Sequence, residues 1–193
     1  MQTIYLIRHA ETAWTKTGQH TGLTDIPLTA EGQHQAKLLK QRLKDLKFQN
    51  VFTSPLKRAK ETCQLADLFS QAEIDDDLVE WNYGDYEGLT REEIHKKDPG
   101  WSIFTKGAPG GESVDDVSKR ADRVLEKIHH LKGSIAIFSS GHFSRVLAVK
   151  WLSLNPECGK LLALFPASLS ILGYESNNPV LIRWNDISHL ELK

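Results

Sequence analysis

An α/β fold, three layers (α/β/α) with helices on both faces of a mostly parallel central sheet, is the architecture this sequence predicts. Three observations carry that expectation. Short apolar runs at residues 4–7, 51–52 and 135–138 alternate with segments whose apolar residues recur at helical spacing. The runs at 4–7 and 135–138 are apolar or aromatic throughout, as strands covered on both faces are, and do not alternate like a strand with one wet face. With 193 residues and no repeat, linker or low-complexity tract, the chain suits one domain over 1–193.

Each element has its own signal. Residues 4–7 form the first strand, closed by charge at Arg8 and His9. Thr29 caps a helix carrying Ala36, Leu39, Leu43 and Leu46 on one face. Val51-Phe52 is a short strand, and Ser54-Pro55 supplies a cap and a first-turn proline for a helix through Ala59, Thr62, Ala66 and Phe69. Residues 73–111 are turn-rich. Ser113 and Asp116 open a long helix through Val117, Ala121, Val124, Ile128 and Leu131. Residues 135–138 form a buried strand, followed by Ser139-Ser140-Gly141-His142 and a helix through Val146 and Trp151. Residues 168–174 and 180–184 pair as strands across Asn177-Asn178. In such sheets ligands bind beyond the carboxyl ends of the strands, which is where the polar residues of interest fall.

A formal net charge of -1 gives no bulk field, so neither nucleic acid nor a membrane is an expected partner, and any anion site must be built locally. Cys63 and Cys158 lie far apart without metal-ligand spacing, which points to inert thiols in a reducing, cytoplasmic setting. The first residues read as a strand, not a signal peptide, and no run approaches transmembrane length.

Three strand ends deliver polar residues to one face: Arg8-His9, then Ser54 and Arg58, then Gly141-His142. A fourth segment, Val79-Glu80-Trp81-Asn82-Tyr83-Gly84, adds a carboxylate among aromatics. This set suits phosphoryl transfer. A neutral imidazole attacks phosphorus, arginines grip the equatorial oxygens with their planar forks, and a protonated carboxyl serves the leaving oxygen. Taken singly, Arg58 reads first as part of a solvated basic helix face, and Glu80 as a carboxylate that could lie on the surface but that Trp81 and Tyr83 favour in a drier site; the combination changes the reading. Rival chemistries lack their residues. The C-x5-R pattern of cysteine phosphatases fails at Phe69 and at Leu164, and no phosphate-cradling G-x-x-x-x-G-K-[ST] loop is present. Asp75-Asp76-Asp77-Leu78-Val79 fits the aspartate-phosphatase pattern in form, but Glu73-Ile74 hardly supplies the buried strand that should precede it. His129-His130 fall at a helix end and form no metal cluster.

Leu6-Ile7-Arg8-His9-Ala10-Glu11-Thr12, Gly22-Leu23-Thr24-Asp25-Ile26-Pro27-Leu28-Thr29, Thr53-Ser54-Pro55-Leu56-Lys57-Arg58-Ala59, Glu80-Trp81-Asn82-Tyr83-Gly84, Gly111-Glu112-Ser113 and Ser140-Gly141-His142 resemble, in order, the blocks of the histidine phosphatase superfamily, the phosphoglycerate-mutase-like proteins. The resemblance implies the same fold, no cofactor, no metal, and His9 as the phosphorylated nucleophile. Arg8, Arg58 and His142 would form the phosphate pocket, and Glu80 would act as general acid and then base, which requires surroundings that hold a proton on it near neutrality. Thr21 and Gly22 match a loop that closes over substrate, and Thr15 stands where many members carry Asn. Tyr83, Phe143 and Arg145 are further substrate contacts; Arg145 lies one helical turn past His142. Members are monomers or dimers, so a homodimer is one open assembly.

Mutases of the family carry an insertion with paired arginines and prolines after the Tyr-Gly-x-x-x-Gly stretch. Here Gly88 runs to Gly111 without such a pair, which favours hydrolysis of a small-molecule phosphate ester. Trp14-Thr15-Lys16-Thr17-Gly18-Gln19-His20 together with Asp75-Asp76-Asp77-Leu78-Val79-Glu80 resembles the fungal sedoheptulose-1,7-bisphosphatase branch, so sugar phosphates and bisphosphates lead as substrates. Lys16, Lys57 or Arg145 would take a second phosphate. Ribazole phosphatase, mutase and protein phosphohistidine phosphatase activities are the alternatives. A binding module without turnover has no need of the nucleophile and the acid together. Trp14, Trp81 and Tyr83 are expected to wall the pocket, while Trp151 and Trp184 belong to the core.

Overall fold

The computed structural model describes residues 2–190. In chain order they form β1 (Gln2–Arg8), α1 (Ala13–Thr17), α2 (Ala30–Leu43), β2 (Asn50–Thr53), α3 (Lys57–Leu65), β3 (Ala72–Ile74), α4 (Arg91–Lys97), α5 (Ile103–Lys106), α6 (Val114–His129), β4 (Gly133–Ser139), α7 (Gly141–Trp151), β5 (Leu169–Glu175) and β6 (Asn178–Asp186), with short 3₁₀ turns between some of them. The sheet order is β3-β2-β4-β1-β5-β6. The first four of these strands are mutually parallel, and β5 and β6 close the other edge as an antiparallel hairpin. The expected three-layer fold is therefore observed.

The continuous apolar runs follow from this layering. A strand sends successive side chains to opposite faces. Ile4, Leu6, Ile135 and Ile137 accordingly pack with α6 and α7. Ile7, Ala136 and Phe138 pack with Leu39 and Leu43 of α2 and Cys63 of α3. Both faces are covered over residues 4–7 and 135–138, so the middle of each strand carries no charged residue, and Arg8 appears only at the carboxyl end of β1.

Four local expectations need correction. Residues 72–74 form a true parallel strand on β2, pairing Val51 with Ala72 and Thr53 with Ile74. Glu73 and Ile74 are exposed because β3 is an edge strand, which is why no apolar run marks it. The three aspartates thus do follow a strand, but two of them meet cations of α6. Asp77 accepts from the Arg123 Nε at 2.9 Å and Asp75 from the Lys127 Nζ at 3.0 Å, an arrangement of ion pairs in place of a metal or nucleophile site. The N-cap of α3 is Leu56, not Ser54; the Ser54 hydroxyl accepts the Leu56 N–H at 3.4 Å. That helix also ends early, because Asp67 adopts a left-handed φ of 67°, leaving Phe69 in a following 3₁₀ turn. The hairpin turn is Ser176-Asn177, one residue earlier than expected, with left-handed φ values of 47° and 71°.

Candidate active site

The carboxyl ends of β1 and β4 open on one cavity of about 170 Å³, lined there by Arg8, His9, Gly141 and His142, whereas Ser54 and Arg58 after β2 are not in its lining. His9 follows β1 directly. Its backbone N–H donates to the Ser139 carbonyl at 2.9 Å, and its own carbonyl accepts from Ala167 at 3.1 Å, so two neighbouring segments fix its backbone. The ring is almost wholly buried. Nδ1 lies 2.8 Å from the Ala10 carbonyl, which can only accept. The proton therefore sits on Nδ1, and Nε2 keeps a free lone pair. Burial, with Arg58 and Arg8 as neighbouring cations, holds the imidazole pKa well below its usual value of 6.5, against the favourable Ala10 contact. His9 is a neutral imidazole with its nucleophilic nitrogen unengaged.

His142 is set the opposite way. It lies in the first turn of α7, with Nδ1 in a short contact with the Tyr83 hydroxyl. Tyr83 keeps its proton: burial and the nearby Glu80 carboxylate push its pKa well above 10. Burial likewise holds His142 well below 6.5, assisted by Arg145, His20 and Arg8. A neutral His142 that accepts the Tyr83 proton at Nδ1 carries its own proton on Nε2, as a donor. Two imidazoles, His9 buried and His142 half-buried, thus face one cavity, one with a lone pair to give and one with a proton. Tyr83→Phe should release that tautomer and leave Nδ1 without a donor. About a tenfold loss in kcat and about 1–3 kcal/mol in stability are expected, read by steady-state kinetics and denaturant melts; wild-type kcat would detach Tyr83 from His142 function.

The arginines fill two roles. Arg8 lines the cavity, its Nη1 anchored on the Leu164 carbonyl. Arg58 was expected to grip the phosphate directly. It lies fully buried beside the cavity wall, with its fork on backbone carbonyls of the 21–24 loop: Gly22 at 2.7 Å, Thr24 at 3.0 Å and Thr21 at 3.2 Å. Its charge still reaches His9, while its buried Nε has no partner among the described residues. Desolvation lowers the pKa of both arginines, and the Glu80 charge opposes this.

Glu80 lines the cavity and accepts three backbone N–H groups: Trp81 at 2.9 Å and Phe143 at 2.8 Å on Oε1, and His142 at 2.9 Å on Oε2. The N-cap of α7, Ser140, makes no side-chain cap bond, so Glu80 satisfies that helix start from a distant segment. Oε1 takes two of these donors and Oε2 one, so Oε2 is the less engaged oxygen.

Behind Glu80 stands Arg120 of α6, which carries no local sequence signal. Its guanidinium binds the carbonyls of Asp77 at 2.8 Å and Val79 at 3.0 Å, grips both Glu112 oxygens at 2.7 and 2.8 Å, and lies over the Phe143 ring. Glu112 in turn accepts the Asn82 N–H at 2.8 Å. This pair ties the segment bearing Glu80 to α6. Arg120→Met should cost about 3–5 kcal/mol, because it strands Glu112 without its cation. Thermal melts would show the loss; an unchanged Tm would mean the pair positions nothing.

The remaining expected contacts divide. Thr21, Tyr83 and Arg145 line the cavity. So does Thr15, but its hydroxyl is engaged in the capping box of α1 with Thr12. Gly22 contributes backbone only: a side chain there would meet the Trp81 carbonyl at 2.5 Å. Phe143 is not a substrate contact, since its ring is core and its N–H belongs to Glu80. Trp81 is fully buried, with Nε1 on the Glu112 carbonyl, and Trp14 stacks near Gly88, so neither walls the cavity as expected. Lys16 and Lys57 are absent from the lining too. Cys63 is buried, its thiol pushed up to about 12, whereas Cys158 is only half-buried. Trp151 is core; Trp184 is half-buried against it. Sequence reasoning missed Gln19, His20 and Leu164 in the lining. His20 stacks parallel to His142 with ring centroids 6.0 Å apart, a contact between distant segments that no local pattern announces.

Three histidines, His9 buried and His20 and His142 half-buried, give a pH signature. His9, His142 and His20 all have folded pKa values below 6.5, burial being the leading cause. Below about pH 6.5 the unfolded chain takes up protons that the folded one refuses. Their stability contribution is therefore complete above that pH and lost as pH falls towards their folded values. The paired carboxylate Asp77, held low by Arg123, acts only further down. Tm should drop between about pH 7 and about pH 5; a flat profile would show that these rings are not held neutral.

The site is a cavity in which arginines surround a neutral imidazole with a free ring nitrogen. The chain belongs to branch 1 of the histidine phosphatase superfamily, whose pattern it matches over residues 4–187. It is similar to an acid phosphatase of Mycobacterium tuberculosis, 40% identical over 176 residues covering 89% of this chain and 86% of the relative. It is also similar to sedoheptulose 1,7-bisphosphatase of Saccharomyces cerevisiae, 35% identical over 184 residues covering 79% and 68%. A solved structure of a Mycobacterium tuberculosis open reading frame superposes with a TM-score of 0.91 at 37% identity, covering 95% of this chain and 97% of that one. Among the described residues no helix is long and apolar enough to cross a membrane, and no group of three or more acidic, histidine or cysteine side chains is placed to hold a metal ion.

Proposed function

We propose that this chain hydrolyses small-molecule phosphate monoesters, sugar phosphates and bisphosphates foremost, through a phosphohistidine on His9. The carrying observation is the His9 ring, neutral, with Nδ1 committed to the Ala10 carbonyl and Nε2 free. In the first step Nε2 bonds to phosphorus, the ester P–O bond breaks, and a protonated Glu80 gives its proton to the departing alkoxide. In the second, the Glu80 carboxylate takes a proton from water as the water oxygen attacks phosphorus. The P–N bond breaks, His9 returns neutral and inorganic phosphate leaves. Arg8 and the Nε2–H of His142 serve the phosphoryl oxygens, and Arg58 adds charge from behind the loop. Every group in the scheme belongs to the chain, so the reaction is read as independent of metal. The similarity to acid and sugar phosphatases supports the substrate class.

Phosphate release from a panel of sugar mono- and bisphosphates, with EDTA present, tests this. Release that survives EDTA supports the scheme, and the best ester names the substrate. Release abolished by EDTA would overturn metal independence, and none from any ester would redirect the site to phosphoryl transfer between phosphoglycerates.

A further inference from the structure

Next to the catalytic cavity lies a second one of about 130 Å³, whose lining includes His20, Arg91, Trp101, Phe104, Arg145 and Lys160. His20, His142 and Arg145 line both cavities, so the two adjoin across these side chains. The proposed hydrolysis at His9 makes no use of the second. Its charge is one-sided: Arg91, Arg145 and Lys160 converge there, and no carboxylate is among the described residues that line it. In a chain of net charge -1, three cations in one cavity are a local concentration, not a reflection of composition.

The cations are also free to bind. Arg145 is braced by its Nε on the Gly159 carbonyl at 2.8 Å and by the Phe104 ring, 4.4 Å from Cζ to ring centroid. That brace leaves both terminal nitrogens of the fork without a protein acceptor among the described residues. Arg91 has only a 3.4 Å contact to His95, and Lys160 a loose 3.8 Å pair with Glu157. The Ser102 hydroxyl, in the same lining, makes no side-chain cap bond. Trp101 and Phe104 are nearly buried and supply an apolar wall, which lowers the local dielectric and strengthens any ion contact made there. A pre-braced arginine fork, two further cations and a hydroxyl match the geometry of a phosphate dianion.

The geometry points to the second cavity as a subsite for the distal phosphate of a bisphosphorylated sugar whose other phosphate sits at His9. Arg145 is the shared post between the two phosphates, and Arg91 and Lys160 discriminate bisphosphates from monophosphates. This rests on the reading of the first cavity as the phosphoryl site.

The test is calorimetric binding to the His9→Ala protein, which cannot turn its ligand over, using fructose 1-phosphate, fructose 6-phosphate and fructose 1,6-bisphosphate. The bisphosphate should bind roughly tenfold or more tighter than either monophosphate. In His9→Ala carrying Arg91→Ala and Lys160→Ala, that ratio should fall close to one. A bisphosphate advantage that persists in the triple variant, or no advantage at all while the monophosphates bind, would overturn the subsite. Failure of all three sugars to bind would fall on the phosphoryl site itself and take the subsite with it. Exposed Arg91 and Lys160 have no packing role to lose, and a wild-type-like melt of the triple variant would confirm that its ratio reports recognition.

Discussion

Replacing His9 by alanine is expected to lower kcat by at least about four orders of magnitude while the chain stays folded. The size follows from the proposed chemistry: without the His9 ring no phosphohistidine can form at the end of β1, and the His142 Nδ1 is already engaged by Tyr83. The fold should survive because the backbone at position 9 is held by Ser139 and Ala167, contacts that alanine keeps. Removing a ring that was desolvated at some cost also relieves the Arg8 and Arg58 neighbourhood. Turnover and near-ultraviolet circular dichroism, read on the same preparation, separate the two effects. Partial recovery with added imidazole would place the missing nucleophile in the vacated space. A folded variant keeping a rate within about tenfold of wild type would remove His9 from the chemistry.

Glu80→Gln is expected to cost about two to four orders of magnitude, unevenly across substrates. An alkyl phosphate, with a poor leaving group, needs the proton and should lose most. A nitrophenyl phosphate leaves without much help and should lose least. The structure adds a complication. The carboxylate accepts three N–H groups on two oxygens, whereas the amide has one acceptor oxygen, so its NH2 must face either the His142 N–H or those of Trp81 and Phe143. Part of any uniform loss therefore reports a disturbed start of α7. The difference between leaving groups isolates the acid role, and equal losses on both esters would leave Glu80 as a helix cap only.

The sequence told most where a residue's job is set by its immediate neighbours. β1 and β4 were legible because both faces are covered, and α2 and α6 because Thr29 and Ser113 cap them locally. The positions of His9, Glu80 and His142 were legible from strand ends and from the family blocks. Edge strand β3 was not, since an exposed edge needs no apolar pattern. Nor were the residues that act across the fold. Arg120 reads as one more charge on a helix until Glu112 and the 77–80 carbonyls close around it, and His20 enters the cavity only through its stacking on His142. Phe143 and Trp81 misled for the converse reason. Lying beside His142 and Glu80 in sequence, they point away from the cavity and into the core.

The most direct measurement is the stereochemical outcome at phosphorus, using a substrate ester made chiral with oxygen isotopes and hydrolysed in isotopic water. Each displacement inverts phosphorus, so passage through a phosphohistidine on His9 involves two inversions, and overall retention is the expected result. Net inversion would mean that water attacks the ester directly, with His9 binding or activating but never bonded to phosphorus, and would contradict the nucleophilic role that its free Nε2 supports.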